Sequence, residues 1–170
     1  MIRQIILAAW LAVATATASH AQSGDETIPF ANDDAVMNAA IIDAQKSLPL
    51  FLCTAVDAEG YGPADSYLKV RVPVKDPRMT SEVIWVGPFA AWDGRNFAGI
   101  LVNEPVAMPG FALGDQLDFT YDMIVDWAWY HPNGANYGDY TSRVIYAQLG
   151  DIDALATLAD PPYPPKWTCD

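Results

Sequence analysis

Residues 66–103 read SYLKVRVPVKDPRMTSEVIWVGPFAAWDGRNFAGILVN, and they decide the fold. From Ser66 to Val74, the residues Leu68, Val70, Val72 and Val74 alternate with Tyr67, Lys69 and Arg71, the two-residue period of a half-buried strand. After an Asp76-Pro77 turn, Glu82 to Phe89 carries Val83, Ile84, Trp85 and Val86 without alternation, as a strand inside a sheet does. Asp93-Gly94 is a hairpin signal, so Arg95 to Asn103 is expected to return antiparallel beside it.

Outward from this sheet nucleus, the pattern changes period. Towards the N-terminus, Asn32, Asp33 and Asp34 offer capping oxygens, and Val36, Ala40, Ala44 and Leu48 recur at helical spacing with Met37 and Ile41 beside them. Pro49 disfavours helix at Leu48, which predicts a helix from Asp34 to Ser47. Gly60, Gly62 and Pro63 mark the turn-rich link to the first strand. Towards the C-terminus, Pro105, Pro109 and Gly110 break the chain before Gly114-Asp115 opens another extended run. Odd positions from Phe119 to Trp129 are apolar or aromatic, which reads either as one strand or as two shorter strands around a single helical turn. A loop, His131 to Gly138, follows. Tyr140 to Leu158 is expected to be helical with a break at Gly150, and the four prolines after Asp160 predict an extended tail on the surface. The expected fold class is α+β: an antiparallel sheet of four to five strands packed by an N-terminal and a C-terminal helix.

The first 21 residues follow a different logic. Arg3, an apolar run from Ile5 to Ala14 and the small residues ending in Ser19-His20-Ala21 form the pattern of a cleaved secretory signal, too short to span a bilayer. No twin arginine precedes the run, and no Cys stands at the cleavage site. The expected organisation is a signal peptide over 1–21, a flexible leader over 22–33, one domain over 34–158 and a Pro-rich tail over 159–170. The expected location is periplasmic or secreted, with no membrane anchor left after cleavage.

Export shapes the remaining chemistry. Losing Arg3 takes the formal charge from −12 to −13 on the 149 residues that remain, a balance that repels phosphate backbones and argues against nucleic-acid partners. The two cysteines, Cys53 and Cys169, are expected to pair in an oxidising compartment. Closing a loop of more than a hundred residues contributes on the order of 4 kcal/mol in an unstrained bond.

Several short blocks then fall in a recognisable order: Tyr67-Leu68-Lys69-Val70, Glu82-Val83-Ile84-Trp85-Val86, Gly99-Ile100-Leu101-Val102-Asn103-Glu104-Pro105, Gly114-Asp115, Ile124-Val125-Asp126-Trp127 and Gly138-Asp139-Tyr140-Thr141-Ser142-Arg143-Val144. From about residue 35 to 149 the chain resembles the YegJ-like bacterial domain of unknown function. The resemblance implies a bacterial, periplasmic protein and brings no established activity with it. The acidic, proline-rich tail and Cys169 depart from the family pattern.

Catalytic constellations are thin. After the signal a single histidine remains, His131, in a Pro/Gly/Asn loop that reads as solvent-facing. There is no Gly-x-Ser-x-Gly segment, no His-Glu-x-x-His and no phosphate-binding glycine loop, so no metal or cofactor is expected. A carboxylate pair such as Glu82 with Asp126 or Glu104 would suit glycoside hydrolysis. Its plainer role is ion pairing with Lys69 or Arg143, or capping of turns. Alternation favours the core for Trp127 and Trp129, whereas Tyr130, Tyr137 and Tyr140 beside the turn glycines read as surface rings suited to an interface.

The sequence therefore leans away from an enzyme and towards an exported binding or interaction module, with an unknown protein or a cell-envelope ligand as partner. Its expected surface is the loop from Trp129 to Arg143, with Tyr130, Tyr137 and Tyr140, together with Asn103 and Glu104. Two alternatives are an inhibitor or immunity protein against a basic secreted toxin and a carboxylate-dependent hydrolase of envelope polysaccharide.

Overall fold

A computed structural model describes residues 34–164 and 166–169. The expected signal peptide, 1–21, and the expected leader, 22–33, lie outside the described residues. Helix α1 spans Ala35–Ala55, capped by the Asp34 carboxylate, which accepts from the backbone N–H groups of Val36 at 2.9 Å and Met37 at 3.0 Å. The predicted stop at Ser47 is corrected: the helix runs on through Pro49 to Ala55, about two turns further. What carries it past the proline is Phe51, fully buried on the sheet with its neighbour Leu48. Burying such a pair is worth several kcal/mol, enough to outweigh the backbone bond that Pro49 cannot donate.

Six strands follow: β1 (Ser66–Asp76), β2 (Met79–Ala91), β3 (Asn96–Leu101), β4 (Gln116–Thr120), β5 (Ile124–Tyr130) and β6 (Asn136–Gly138). They form one sheet in the order β4-β3-β2-β1-β5-β6, each neighbouring pair antiparallel. The class is α+β as expected, with six strands among the described residues rather than four to five. Two features account for the difference. A single 3-10 turn, Tyr121–Met123, splits the Phe119 to Trp129 run, so that β4 pairs with β3 and β5 crosses to pair with β1. The loop after β5 also contributes a short edge strand, β6.

The Asp76-Pro77 and Asp93-Gly94 turns stand as predicted. Asp76 accepts from Arg78 N at 2.8 Å and holds its guanidinium, and Asp93 accepts from Arg95 N at 2.9 Å and Asn96 N at 2.8 Å. Helix α2 (Tyr140–Leu149) ends at Gly150, which takes the left-handed conformation at φ 69°, and a short helix α3 (Ile152–Ala156) follows.

One face of the sheet carries the core. Ala44, Leu48 and Phe51 of α1 pack on Leu68, Val70, Ile84, Val86, Phe89 and Trp127. The same cluster continues through Phe97, Leu101, Leu117 and Phe119 to Met108 of the β3–β4 connection. Trp127 donates its indole N–H to Ser47 Oγ at 3.0 Å, so the one polar atom of this fully buried ring is satisfied by α1. Cys53 and Cys169 form a disulfide, Cα atoms 5.7 Å apart, tying the tail to the end of α1. Among the described residues no helix is long and apolar enough to cross a membrane.

Candidate binding site

The seven residues singled out for a binding surface do not form one. Asn103 and Glu104 follow β3, whereas Tyr137 lies in β6. Strands β2, β1 and β5 stand between them, four strand spacings or about 19 Å in all. Glu104 instead accepts from Leu113 N at 3.2 Å within its own connection. Tyr140, expected at the surface, is 9% exposed and part of the core, its ring edge-on to Trp127. A helical side chain leans towards the preceding turn, and at the first position of α2 that direction is the core. Arg143 is half-buried and donates to the backbone carbonyls of Gly138 at 3.0 Å and Ala159 at 2.8 Å. Tyr130 remains exposed.

Three of the quoted blocks do meet, in a buried polar network at the start of α2. Beyond the reach of β6, the edge of β5 is closed by Asp139, whose N–H donates to Trp127 O at 2.8 Å, and by Gln45 of α1, whose side chain donates to Ile124 O at 3.1 Å. From that edge Asp126 turns its carboxylate onto the helix N-terminus. It accepts from Tyr140 N at 3.2 Å, Thr141 N at 2.7 Å and Thr141 Oγ1 at 2.6 Å, and from Trp127 N at 2.8 Å. Lys69, its cross-strand partner, donates to Thr141 Oγ1 at 3.0 Å. Burial pushes the Asp126 carboxyl above its ordinary range, against the opposing pull of Lys69 and of these hydrogen bonds.

Asp139 sits beside it in the left-handed region at φ 56° and accepts from Ser142 Oγ at 2.9 Å. Burial, and then the charge of Asp126, push its carboxyl up to about 6. The two carboxylates meet backbone amides and hydroxyls of the chain itself, with Lys69 beside them, so the network fastens α2 to the sheet edge.

Glu82 plays the same part on the other side. It is buried and accepts from Val106 N at 2.6 Å and Ala107 N at 2.7 Å, pinning the β3–β4 connection over the core. In register, Glu82 opposes Val72 and Asp126 opposes Lys69, positions of opposite parity on β1. The two carboxylates therefore belong to opposite faces of the sheet and do not form the catalytic pair that glycoside hydrolysis needs.

The loop aromatics gather under the tail. Trp129 and Tyr137 oppose each other across β5 and β6 on the core face. His131, expected to face solvent, is instead half-buried, its ring 4.5 Å from that of Trp129 and 5.7 Å from that of Tyr137. Trp167 of the tail completes the cluster, with ring centroids 5.6 Å from Trp129, 6.0 Å from Tyr137, 6.0 Å from Trp127 and 6.3 Å from Phe51. The tail is thus docked by a ring, where its prolines alone predict only an extended path.

Among the described residues no helix lies across the opposite face of the sheet. On β1 it presents Tyr67, Lys69, Arg71 and Lys75. Tyr67 packs over Gly87, where a Cβ would collide with its ring, and lies 5.6 Å from the ring of Tyr130. Lys69 sits 4.7 Å over the ring of its cross-strand neighbour Trp85. Arg71 opposes Val83, and both are exposed. Among the described residues Arg71 and Lys75 make no ion pair. A chain with 21 acids and nine bases has therefore placed three of its cations along one strand, beside a row of half-exposed rings. The signal was in the alternation of Tyr67, Lys69 and Arg71, whose apolar partners drew attention to the other face.

A family described as uncharacterized protein conserved in bacteria (DUF2314) matches residues 34–155, most of the chain. No curated protein and no solved structure matches it.

Proposed function

The chain belongs to the DUF2314 family of uncharacterised proteins conserved in bacteria, and on that premise we propose that it is an exported, disulfide-stapled binding module whose helix-free sheet face engages an anionic ligand of the cell envelope. The observation that carries the reading is the row of Tyr130, Tyr67, Lys69, Trp85 and Arg71 on that face. Rings and cations side by side supply contact area together with charge, the pairing found at interface hot spots. The acidic remainder of the molecule keeps non-specific anions away, so such a stripe selects for ligands that fit it.

Export is supported by the signal-like pattern of residues 1–21 and by a disulfide, a bond that persists in oxidising compartments. A binding role in place of catalysis is supported by the employment of Glu82, Glu104 and Asp126 in holding backbone amides. The test is affinity capture from a periplasmic extract on immobilised protein, wild type beside an Arg71→Glu, Trp85→Ala variant. A salt-eluted species held by the wild type and lost by the variant is the expected result. Equal retention by both sinks the assignment of this face.

A further inference from the structure

On the core side of the sheet, Trp167 covers a ring-lined groove formed by Phe51, Trp127, Trp129 and Tyr137, with His131 at its rim. Tyr163 and Trp167, which pack against it, belong to a tail whose sequence over 159–168 reads ADPPYPPKWT. We infer that this groove is a recognition site for an extended, proline-rich segment of another protein carrying an aromatic anchor, occupied here in cis by the chain's own tail.

Three observations carry it. The tail makes the contacts such a ligand would make: Pro162 O accepts from Gly138 N at 2.7 Å, while Tyr163 and Trp167 pack against the cluster. Proline-rich segments are pre-extended, lose little entropy on docking and are recognised in aromatic-lined grooves. The indole N–H of Trp129 is buried and has no hydrogen-bond partner among the described residues. A bound segment that seats a backbone carbonyl at this donor, which the described residues of the chain's own tail do not, can satisfy it. The groove rings all lie within residues 34–155, which the family match covers, whereas Trp167 and Cys169 lie beyond it. The site belongs to the domain, and its cover is an extension.

The lock is the Cys53–Cys169 disulfide, whose two residues are both exposed. Tethering gives the tail an effective concentration that a free segment cannot match, and the same advantage disfavours a second copy's tail. A dithiol opens the lock by thiol–disulfide exchange: the protein disulfide gains two electrons and two protons to become two thiols, and the dithiol becomes a disulfide.

The test is fluorescence anisotropy with a labelled synthetic peptide, ADPPYPPKWT, added to full-length chains. Oxidised wild type is expected not to bind. A Cys53→Ser, Cys169→Ser variant is expected to bind saturably, at least tenfold tighter than it binds the peptide with alanine in place of its tryptophan. Oxidised Trp167→Ala, which keeps the tether and loses the anchor, is expected to bind as well. Near-UV circular dichroism reports whether each variant is folded. Folded variants that both ignore the peptide overturn the inference, as does unfolding of both, which would make the tail a part of the core. A dimer with exchanged tails, seen by light scattering, overturns the choice of a heterologous partner.

Discussion

Phe51 and Trp127 stack face to face, their ring centroids 4.4 Å apart and their planes within 5° of parallel. This contact joins the part of α1 beyond Pro49 to the strand that carries Asp126, so one pair of rings couples the helix extension to the α2 anchor. Replacing Phe51 with Ala removes a fully buried ring beneath Trp167 as well, and is expected to cost about 3–5 kcal/mol in urea unfolding. The control is Val36→Ala, also on α1 but exposed, which should stay within about 0.5 kcal/mol of wild type.

The fold was legible wherever local chemistry decided it. The β1–β2 and β2–β3 hairpins follow from turn residues and alternation within a few positions of each other. Pro49 misled because the preference against helix before proline is local, whereas the burial of Phe51 on β1, β2 and β5 is not. The crossing of β5 to β1 was open for the same reason. Residues 119–129 suit one strand or two, and only pairing with a strand some sixty residues earlier chooses between them.

The pH dependence of stability tests the α2 anchor. The Asp139 carboxyl has a folded-state value of about 6 against an ordinary 3.8, so between those limits the folded chain binds the more protons. Stability from this group is then fullest below about pH 4 and falls as pH rises through 6, by on the order of 3 kcal/mol in all. Asp139→Asn keeps an acceptor for Ser142 Oγ and a side chain that tolerates φ 56°, and it carries no charge to bury. Chemical denaturation at a series of pH values should show the variant more stable above pH 6 and the gap closing towards pH 4. A gap that does not change with pH would remove the buried charge as its cause.

Asp126→Ala is expected to destabilise the chain, where Asp139→Asn stabilises it. Asp126→Ala strips an acceptor from the N–H groups of Tyr140 and Thr141 and leaves Lys69 without its cross-strand carboxylate. Each buried amide left without its acceptor costs about 1–3 kcal/mol. Hydrogen exchange should show the loss first in α2 and β6, with β2 and β3 still protected. Uniform loss of protection across the sheet would mean that α2 is not a separable unit.

The site was less legible than the fold because side-chain direction settles it. Tyr137 and Tyr140 share a tyrosine-rich loop with Tyr130, yet strand parity sends Tyr130 to the open face and Tyr137 to the groove, and the first turn of α2 carries Tyr140 into the core. The sequence does carry a signal for Trp167: a large ring two residues before a cysteine that pairs with Cys53 of α1. Lys69, Arg71 and Lys75 offered another.

Glu82 supplies a test confined to one connection. Its two oxygens serve two adjacent amides, Val106 N and Ala107 N, so Glu82→Gln leaves one acceptor for two donors and sets an amide N–H₂ against a backbone N–H. A buried donor left unsatisfied costs about 1–3 kcal/mol. Val106, Phe111 and Leu113 in this connection are already exposed, so once those bonds are lost only Ala107 and Met108 hold it down by apolar burial. Limited proteolysis of the glutamine variant should therefore cut between residues 104 and 113 well before wild type is cut there. The hairpins and α1 should survive in the first fragments. If cleavage instead begins in β1 or α1, the carboxylate supports the sheet as a whole and the connection is not its particular charge.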